Sequence, residues 1–118
     1  MLELDHIDVG YGAGQVLFGV CLKVNAGACV SLMGRNGMGK TTTVRTIMGQ
    51  LPLLAGRISR FGDDRADRPS FDIARAGIGL VPEGRQIFSN LTVRENLQTF
   101  FRPPVDQSRT SSHLDRVL

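Results

Sequence analysis

Ala28-Cys-Val-Ser-Leu-Met33, followed at once by Gly34-Arg-Asn-Gly-Met-Gly-Lys-Thr41, is the stretch that decides the fold. The first part is nearly continuous in apolar side chains, which predicts a short strand buried on both faces. The second fits G-x-x-x-x-G-K-[ST], with Gly34 and Gly39 at the fixed glycine positions and Gly37 as a third. Glycines reach positive φ and carry no Cβ, so successive backbone N–H groups can converge on one anion. The candidate phosphate cradle is therefore Gly34, Arg35, Asn36, Gly37, Met38 and Gly39. Lys40 brings a compact cation to the outer phosphates and is the candidate catalytic residue. Thr41 offers a hydroxyl to Mg²⁺, and Thr42 follows it in the first turn of the helix expected from Lys40 onward. That helix aims its positive dipole end at the same anion.

A glycine-rich turn without a ligand is the competing reading. Such a turn needs one or two glycines and has no use for a Lys-Thr pair at this spacing. Thr43-Val-Arg-Thr-Ile-Met48 continues as a helix, with Val44, Ile47 and Met48 at i, i+3 and i+4 predicting its apolar stripe. Gly49 stands where a C-terminal cap is expected, and Pro52 forbids continuation.

Working upstream, Leu2, Leu4, Ile7 and Val9 mark an opening strand whose alternation slips at Asp5-His6. Val16 to Val24 reads as a second strand, with Asn25-Ala-Gly27 as the turn into the third. Downstream, Gly56 to Phe61 is a short strand, and Asp63 to Arg68 mixes both charge signs as a solvated loop. Ser70 to Ala76 reads as a short helix ended by Gly77, and Ile78-Gly-Leu-Val81 as another buried strand stopped by Pro82. Thr92-Val-Arg-Glu95 is a capping box that starts a helix toward Phe101. Pro103-Pro104 ends it, Asp106 to Ser112 reads as a loop, and His113 to Leu118 as the beginning of another helix.

The bulk numbers narrow the classes. A chain of 118 residues fits one domain, 1–118, large enough to bury a core. Hydrophobic residues at 42% and charged residues at 21% are ordinary for a globular chain. The net charge of +3 comes from arginines scattered among acids, without the concentrated basic face that nucleic acid demands, so no nucleic-acid partner is expected. Cys21 and Cys29 have neither zinc nor redox spacing, and their apolar neighbours predict buried thiols in a reducing compartment. The opening residues carry acids and no apolar signal core, and no stretch reaches membrane-spanning length. A cytoplasmic protein is expected, reaching a membrane only through partners.

Taken together, these features resemble the ATP-binding subunit of ABC transporters over essentially the whole chain. The resemblance implies an α/β fold of the P-loop NTPase class, ABC type, with a mixed sheet and helices. The family's loop Gly-x-x-Gly-x-Gly-Lys-[Ser/Thr]-[Thr/Ser] is matched from Gly34 to Thr42. Tyr11, in Val9-Gly-Tyr-Gly12, stands where the family places an aromatic ring against adenine, and Val16 where the sugar pocket is lined. The block Gly77-Ile-Gly-Leu-Val-Pro-Glu-Gly-Arg-Gln-Ile-Phe-Ser-Asn-Leu-Thr-Val-Arg-Glu-Asn-Leu97 looks like the family's Q-loop region and the start of its helical subdomain. Glu83 occupies the position usually held by Gln, a contact to Mg²⁺ or to the attacking water. A carboxylate still binds a hydrated cation but repels the γ-phosphate.

Val81-Pro-Glu-Gly-Arg85 resembles the shorter ATPase subunit of branched-chain amino acid importers. The resemblance implies ATP and Mg²⁺ as ligands and a second ATP-binding subunit across the nucleotide. It also implies transmembrane permease subunits docking around Glu83 to Leu91, and a place on the inner face of the cell membrane. Gln86, Ile87 and Phe88 could equally serve ordinary packing.

The sequence departs from the family in one large way. The signature Leu-Ser-Gly-Gly-Gln, the strand ending in Asp-Glu and the switch His are absent from these residues. Strands that flank the phosphate-loop strand in the family are absent too. The expectation is thus the N-terminal part of an ABC-type domain, incomplete in the C-terminal part of its core. It holds ATP but lacks the groups that orient the attacking water. A stand-alone nucleotide-binding module without hydrolysis is the alternative. A small kinase or GTPase is a third, for which Tyr11 and the Val81-to-Leu97 block have no role.

Overall fold

The computed structural model describes residues 1–84 and 86–100. Two compact units divide the chain, Met1–Leu80 and Val81–Leu118.

In the first unit, β1 (Leu2–Tyr11) lies between β2 (Gly14–Val24) and β3 (Ala55–Arg60), antiparallel to both. The slip in alternation at Asp5-His6 is a β-bulge. The pairs Leu4↔Leu22 and Ile7↔Val20 leave Asp5 and His6 facing the single residue Cys21. The extra residue corrects the pleat, so Leu4, Ile7 and Val9 all point to one buried face. A regular strand would turn Ile7 and Val9 outward. His6 takes φ +47 there. Gly56 of β3 takes φ +86 and lies so close that a Cβ on it would stand 2.3 Å from the His6 carbonyl oxygen.

The core cluster is Leu4, Ile7, Val9, Leu17 and Ile58, ringed by Leu2, Val20, Leu22, Ile47, Leu51 and Leu53. Full burial stabilises each such side chain by about 1.5–3 kcal/mol. The first helix, α1 (Lys40–Ile47), packs beside this sheet and ends in a double hydrogen-bonded cap. Gly49 N–H donates to Thr46 O at 3.0 Å and Gln50 N–H to Arg45 O at 2.9 Å, as a Schellman motif requires. The stripe expected from Val44, Ile47 and Met48 is corrected in part. Val44 is exposed, while Thr42, Thr43 and Thr46 are buried with Met48. The threonines can enter because Thr43 Oγ1 donates to Gly39 O at 2.8 Å and Thr46 Oγ1 to Thr42 O at 2.7 Å. The second helix, α2 (Ser70–Arg75), buries Ile73 and stops before Gly77 as expected.

Two expected strands are not formed. Ala28–Met33 is an exposed irregular segment, not a buried strand. Ile78–Val81 is irregular as well, with Val81 95% exposed. An apolar run becomes a strand only by joining a ladder, and the three described strands pair only with one another. The expected burial of the two cysteines fails with it, for both are exposed. Cys21 shares the outward face of β2 with Lys23, and Cys29 lies in the irregular segment.

The second unit contains α3 (Val93–Phe100), opened by the expected capping box. Glu95 N–H donates to Thr92 Oγ1 at 3.2 Å, and Thr92 N–H donates to Glu95 Oε2 at 2.8 Å. Asn96 pins the preceding loop to this helix. Its Nδ2 donates to Phe88 O at 3.1 Å, Leu91 O at 3.2 Å and Thr92 O at 3.0 Å, and its Oδ1 accepts from Phe88 N–H at 2.9 Å. Arg85, the continuation to Phe101, the Pro103-Pro104 stop, the 106–112 loop and the 113–118 helix lie outside the described residues. Among the described residues no helix is long and apolar enough to cross a membrane.

Candidate functional site

The site is built at the entry to α1. After β2 the chain turns through Asn25, with Ala28 N–H donating to Asn25 O at 3.1 Å, and runs irregularly to Met33. Met38 N–H then donates to Arg35 O at 3.3 Å, closing a turn within the loop. Gly39 is the N-cap of α1 at φ +88, and no side chain caps the helix start. Thr43 N–H reaches Gly39 O at 2.8 Å, so Lys40, Thr41 and Thr42 have no carbonyl behind their N–H groups within the helix. The first turn also carries no acidic residue. These unopposed donors and the positive dipole end are suited to an anion.

The loop closes on its own cation. The Lys40 ammonium donates to Gly34 O and to Arg35 O, the latter at 3.0 Å. It thereby ties the start of the loop to the start of the helix. Gly34 to Met38 are exposed around it, Gly39 is buried, and Thr41 points to the exposed side. An exposed threonine hydroxyl in this turn is a hard oxygen donor. It fits Mg²⁺, a cation usually held by one or two protein oxygens with phosphate and water.

Tyr11 and Val16, distant in sequence, come to the same place. Tyr11 is 44% exposed, and its hydroxyl lies 3.4 Å from Thr42 Oγ1. The Thr42 hydroxyl, with Arg45 behind it, draws the Tyr11 phenol below its ordinary range. Val16 Cγ1 would stand 3.9 Å from a Cβ on Gly39, and Leu17 Cδ2 only 2.6 Å. The first unit thus brings Tyr11, Val16 and the Gly34–Thr42 loop together. Glu83 is an exposed residue of the second unit.

Sequence reasoning missed Arg60. This β3 residue is only 2% exposed, and its Nε and Nη2 donate to Ile47 O at 2.8 Å and Thr46 O at 3.1 Å. Burial, then the nearby Arg68 cation, pulls its pKa down. It holds the C-terminal end of α1, and so the helix whose start forms the site. Strand parity with the buried Ile58 was the available signal.

A protein-family model described as ABC transporter matches residues 17–118. The chain belongs to the ABC transporter family. It is 39% identical over 120 residues to the high-affinity branched-chain amino acid transport ATP-binding protein BraG of Pseudomonas aeruginosa, covering 100% of this chain and 50% of that one. It is 42% identical over 96 residues to the lipopolysaccharide export system ATP-binding protein LptB of Escherichia coli, covering 81% of this chain and 40% of that one. It is also 39% identical over 101 residues to the Nod factor export ATP-binding protein I of Paraburkholderia xenovorans, covering 86% and 33%. The chain therefore spans about half the length, or less, of these curated relatives.

Solved ABC structures agree. The ATP-binding subunit of an ABC transporter superposes with a TM-score of 0.74 at 34% identity, covering 84% of this chain and 40% of that one. A dimeric ATP-binding cassette bound to ADP and phosphate superposes at 0.76 over 98% of this chain and 55% of that one. Its identity of 22% speaks to the fold only. The expected fold, the P-loop NTPase fold of ABC type, is thus shown.

Proposed function

We propose that this chain forms the nucleotide-holding part of an ATPase subunit that energises an ABC importer, with branched-chain amino acids as the favoured cargo. The observation that carries the reading is the convergence of Tyr11, Val16, Lys40 and the free first-turn amides of α1 on one exposed surface. In this reading the adenine stacks on Tyr11 and the sugar lies against Val16. The phosphates enter the loop of Gly34, Arg35, Asn36, Gly37, Met38 and Gly39, with Thr42 at its rim. Lys40 would exchange the Gly34 and Arg35 carbonyls for the outer phosphates, since those contacts already hold its cation at the loop. Thr41 would hold Mg²⁺ through its hydroxyl, and Glu83 is proposed as a cation contact on the resemblance alone. When bound, that cation neutralises charge on the β- and γ-phosphates.

Binding is separable from cleavage. The groups read in these residues serve nucleotide binding, so binding is the property to be measured first. The test is affinity: the purified chain should bind a fluorescent ATP analogue, and Lys40→Ala should weaken it at least about tenfold. Affinity unmoved by Lys40→Ala would sink the reading.

The second unit supports a permease contact around Glu83 to Leu91. Val81 and Ile87 are largely exposed there, which favours docking over local packing for Ile87. A second ATP-binding subunit completes the assembly at the cytoplasmic face of the membrane, as the resemblance implies. The favoured cargo rests on BraG and on Val81-Pro-Glu-Gly-Arg85. Deleting the encoding gene should lower cellular uptake of leucine, isoleucine and valine. Unchanged uptake would overturn the cargo and leave the ATP reading standing.

A further inference from the structure

The bulge in β1 does more than correct the pleat. Two residues there, Asp5 and His6, oppose the single residue Cys21 of β2, and all three side chains sit on the outward face. One ligand atom from each, a carboxylate oxygen, a ring nitrogen and the thiol sulfur, lies within 4.8 Å of the others. We propose that Asp5, His6 and Cys21 form a surface site for a borderline-soft divalent metal, Zn²⁺ foremost, distinct from the nucleotide's Mg²⁺.

The donor set and the geometry carry this. Tetrahedral Zn²⁺ at about 2.0–2.3 Å from N, O and S ligands sets those ligands about 3.3–3.6 Å apart, so forming the site takes shifts on the order of 1 Å, with the Asp5 Oδ1 and His6 Nδ1 pair, 2.7 Å apart, opening rather than closing. Exposed side chains on a sheet surface make such a movement by rotamer adjustment. The approach is already aimed. Asp5 Oδ1 lies 2.7 Å from His6 Nδ1, while Arg57 Nη2, at 3.4 Å from Asp5 Oδ2, occupies the other carboxylate oxygen.

His6 N–H also donates to Cys21 Sγ at 3.3 Å, which fixes the sulfur opposite the bulge. Three protein ligands leave a fourth position for water. Metal binding displaces the Cys21 thiol proton to solvent, so thiolate, imidazole and carboxylate face the ion. Mg²⁺ prefers an all-oxygen octahedron and does not compete for sulfur.

The test uses the full chain without nucleotide, because ATP chelates metals. Co²⁺ should give tetrahedral visible bands and a sulfur-to-cobalt charge-transfer band, and saturating Zn²⁺ should raise the melting temperature by about 5 °C or more. Cys21→Ser, nearly isosteric, should abolish the charge-transfer band while leaving the metal-free melt unchanged. Asp5→Asn and His6→Asn should weaken Co²⁺ at least about tenfold, the latter keeping a residue that tolerates positive φ. Cys29→Ser should change nothing, and Mg²⁺ in large excess should not displace Co²⁺. A charge-transfer band that survives Cys21→Ser, one lost in Cys29→Ser, or no Co²⁺ uptake at all would overturn the proposal.

Discussion

Gly39 and Leu17 lock the phosphate loop to the core. A Cβ on Gly39 would come within 2.6 Å of Leu17 Cδ2, and Leu17 is itself a buried member of the core cluster. The loop's last glycine is thus required twice, by its φ of +88 and by the leucine beneath it. Gly39→Ala should destabilise the first unit by about 2–4 kcal/mol, from backbone strain and overpacking together. Nucleotide affinity should fall at least about tenfold, because the first-turn amides move with Gly39. A urea midpoint and an ATP titration on the same protein read both effects. Unchanged values would show that the loop does not depend on this contact.

Gly56 gives a sharper contrast. A Cβ there would meet His6 O at 2.3 Å and Asp5 O at 2.7 Å, both backbone atoms that no rotamer can move. Gly62 has nearly the same φ, +83, with open space around it. Gly62→Ala should therefore cost about 1 kcal/mol, the ordinary left-handed penalty. Gly56→Ala should cost about 3 kcal/mol or more by spreading the bulge. Similar urea midpoints for the two variants would mean that the bulge yields freely.

The Gly34–Thr41 loop and the helix after it were legible because their signal is local, with glycines, a lysine and a threonine at fixed spacing. The Asp5-His6 bulge was half legible: the slip in alternation was plain, but its facing residue, Cys21, came only with strand register. The apolar runs 28–33 and 78–81 misled for the opposite reason. Their hydrophobicity is real, yet being a strand depends on a neighbouring ladder that a residue pattern cannot supply. Cys21 followed the same logic, since apolar neighbours in sequence alternate faces in a strand and say little about the thiol between them. Arg60 stayed hidden because an arginine reads as surface until its partners, the carbonyls ending α1, are known.

Arg60 should accordingly behave as an interior residue. Arg60→Ala removes its bonds to Thr46 O and Ile47 O and leaves a void beside α1. The expected loss is about 3 kcal/mol, read as a shift in the urea midpoint. Arg60→Lys should recover less than half of it, since a point charge cannot span both carbonyls as the planar fork does. Full recovery by lysine would show that charge at the helix end, not geometry, is what matters.

The second unit has an acid-sensitive helix start. The Glu95 carboxylate accepts from Thr92 N–H and from Thr92 Oγ1, each at 2.8 Å, and these contacts hold its pKa below the ordinary glutamate value. The folded pKa is thus lower than the unfolded one. The contribution to α3 is fully present above the unfolded value, about 4.3, and is lost as pH falls through the folded value. An NMR titration of the Glu95 carboxyl should show a midpoint below that of a free glutamate. Amide protection at the start of α3 should fall over the same acid range. Glu95→Gln still accepts from Thr92 through its amide oxygen, so it should keep part of the protection and remove the acid dependence. An ordinary Glu95 midpoint, or protection in the variant that still falls in acid, would place the acid sensitivity of this helix elsewhere.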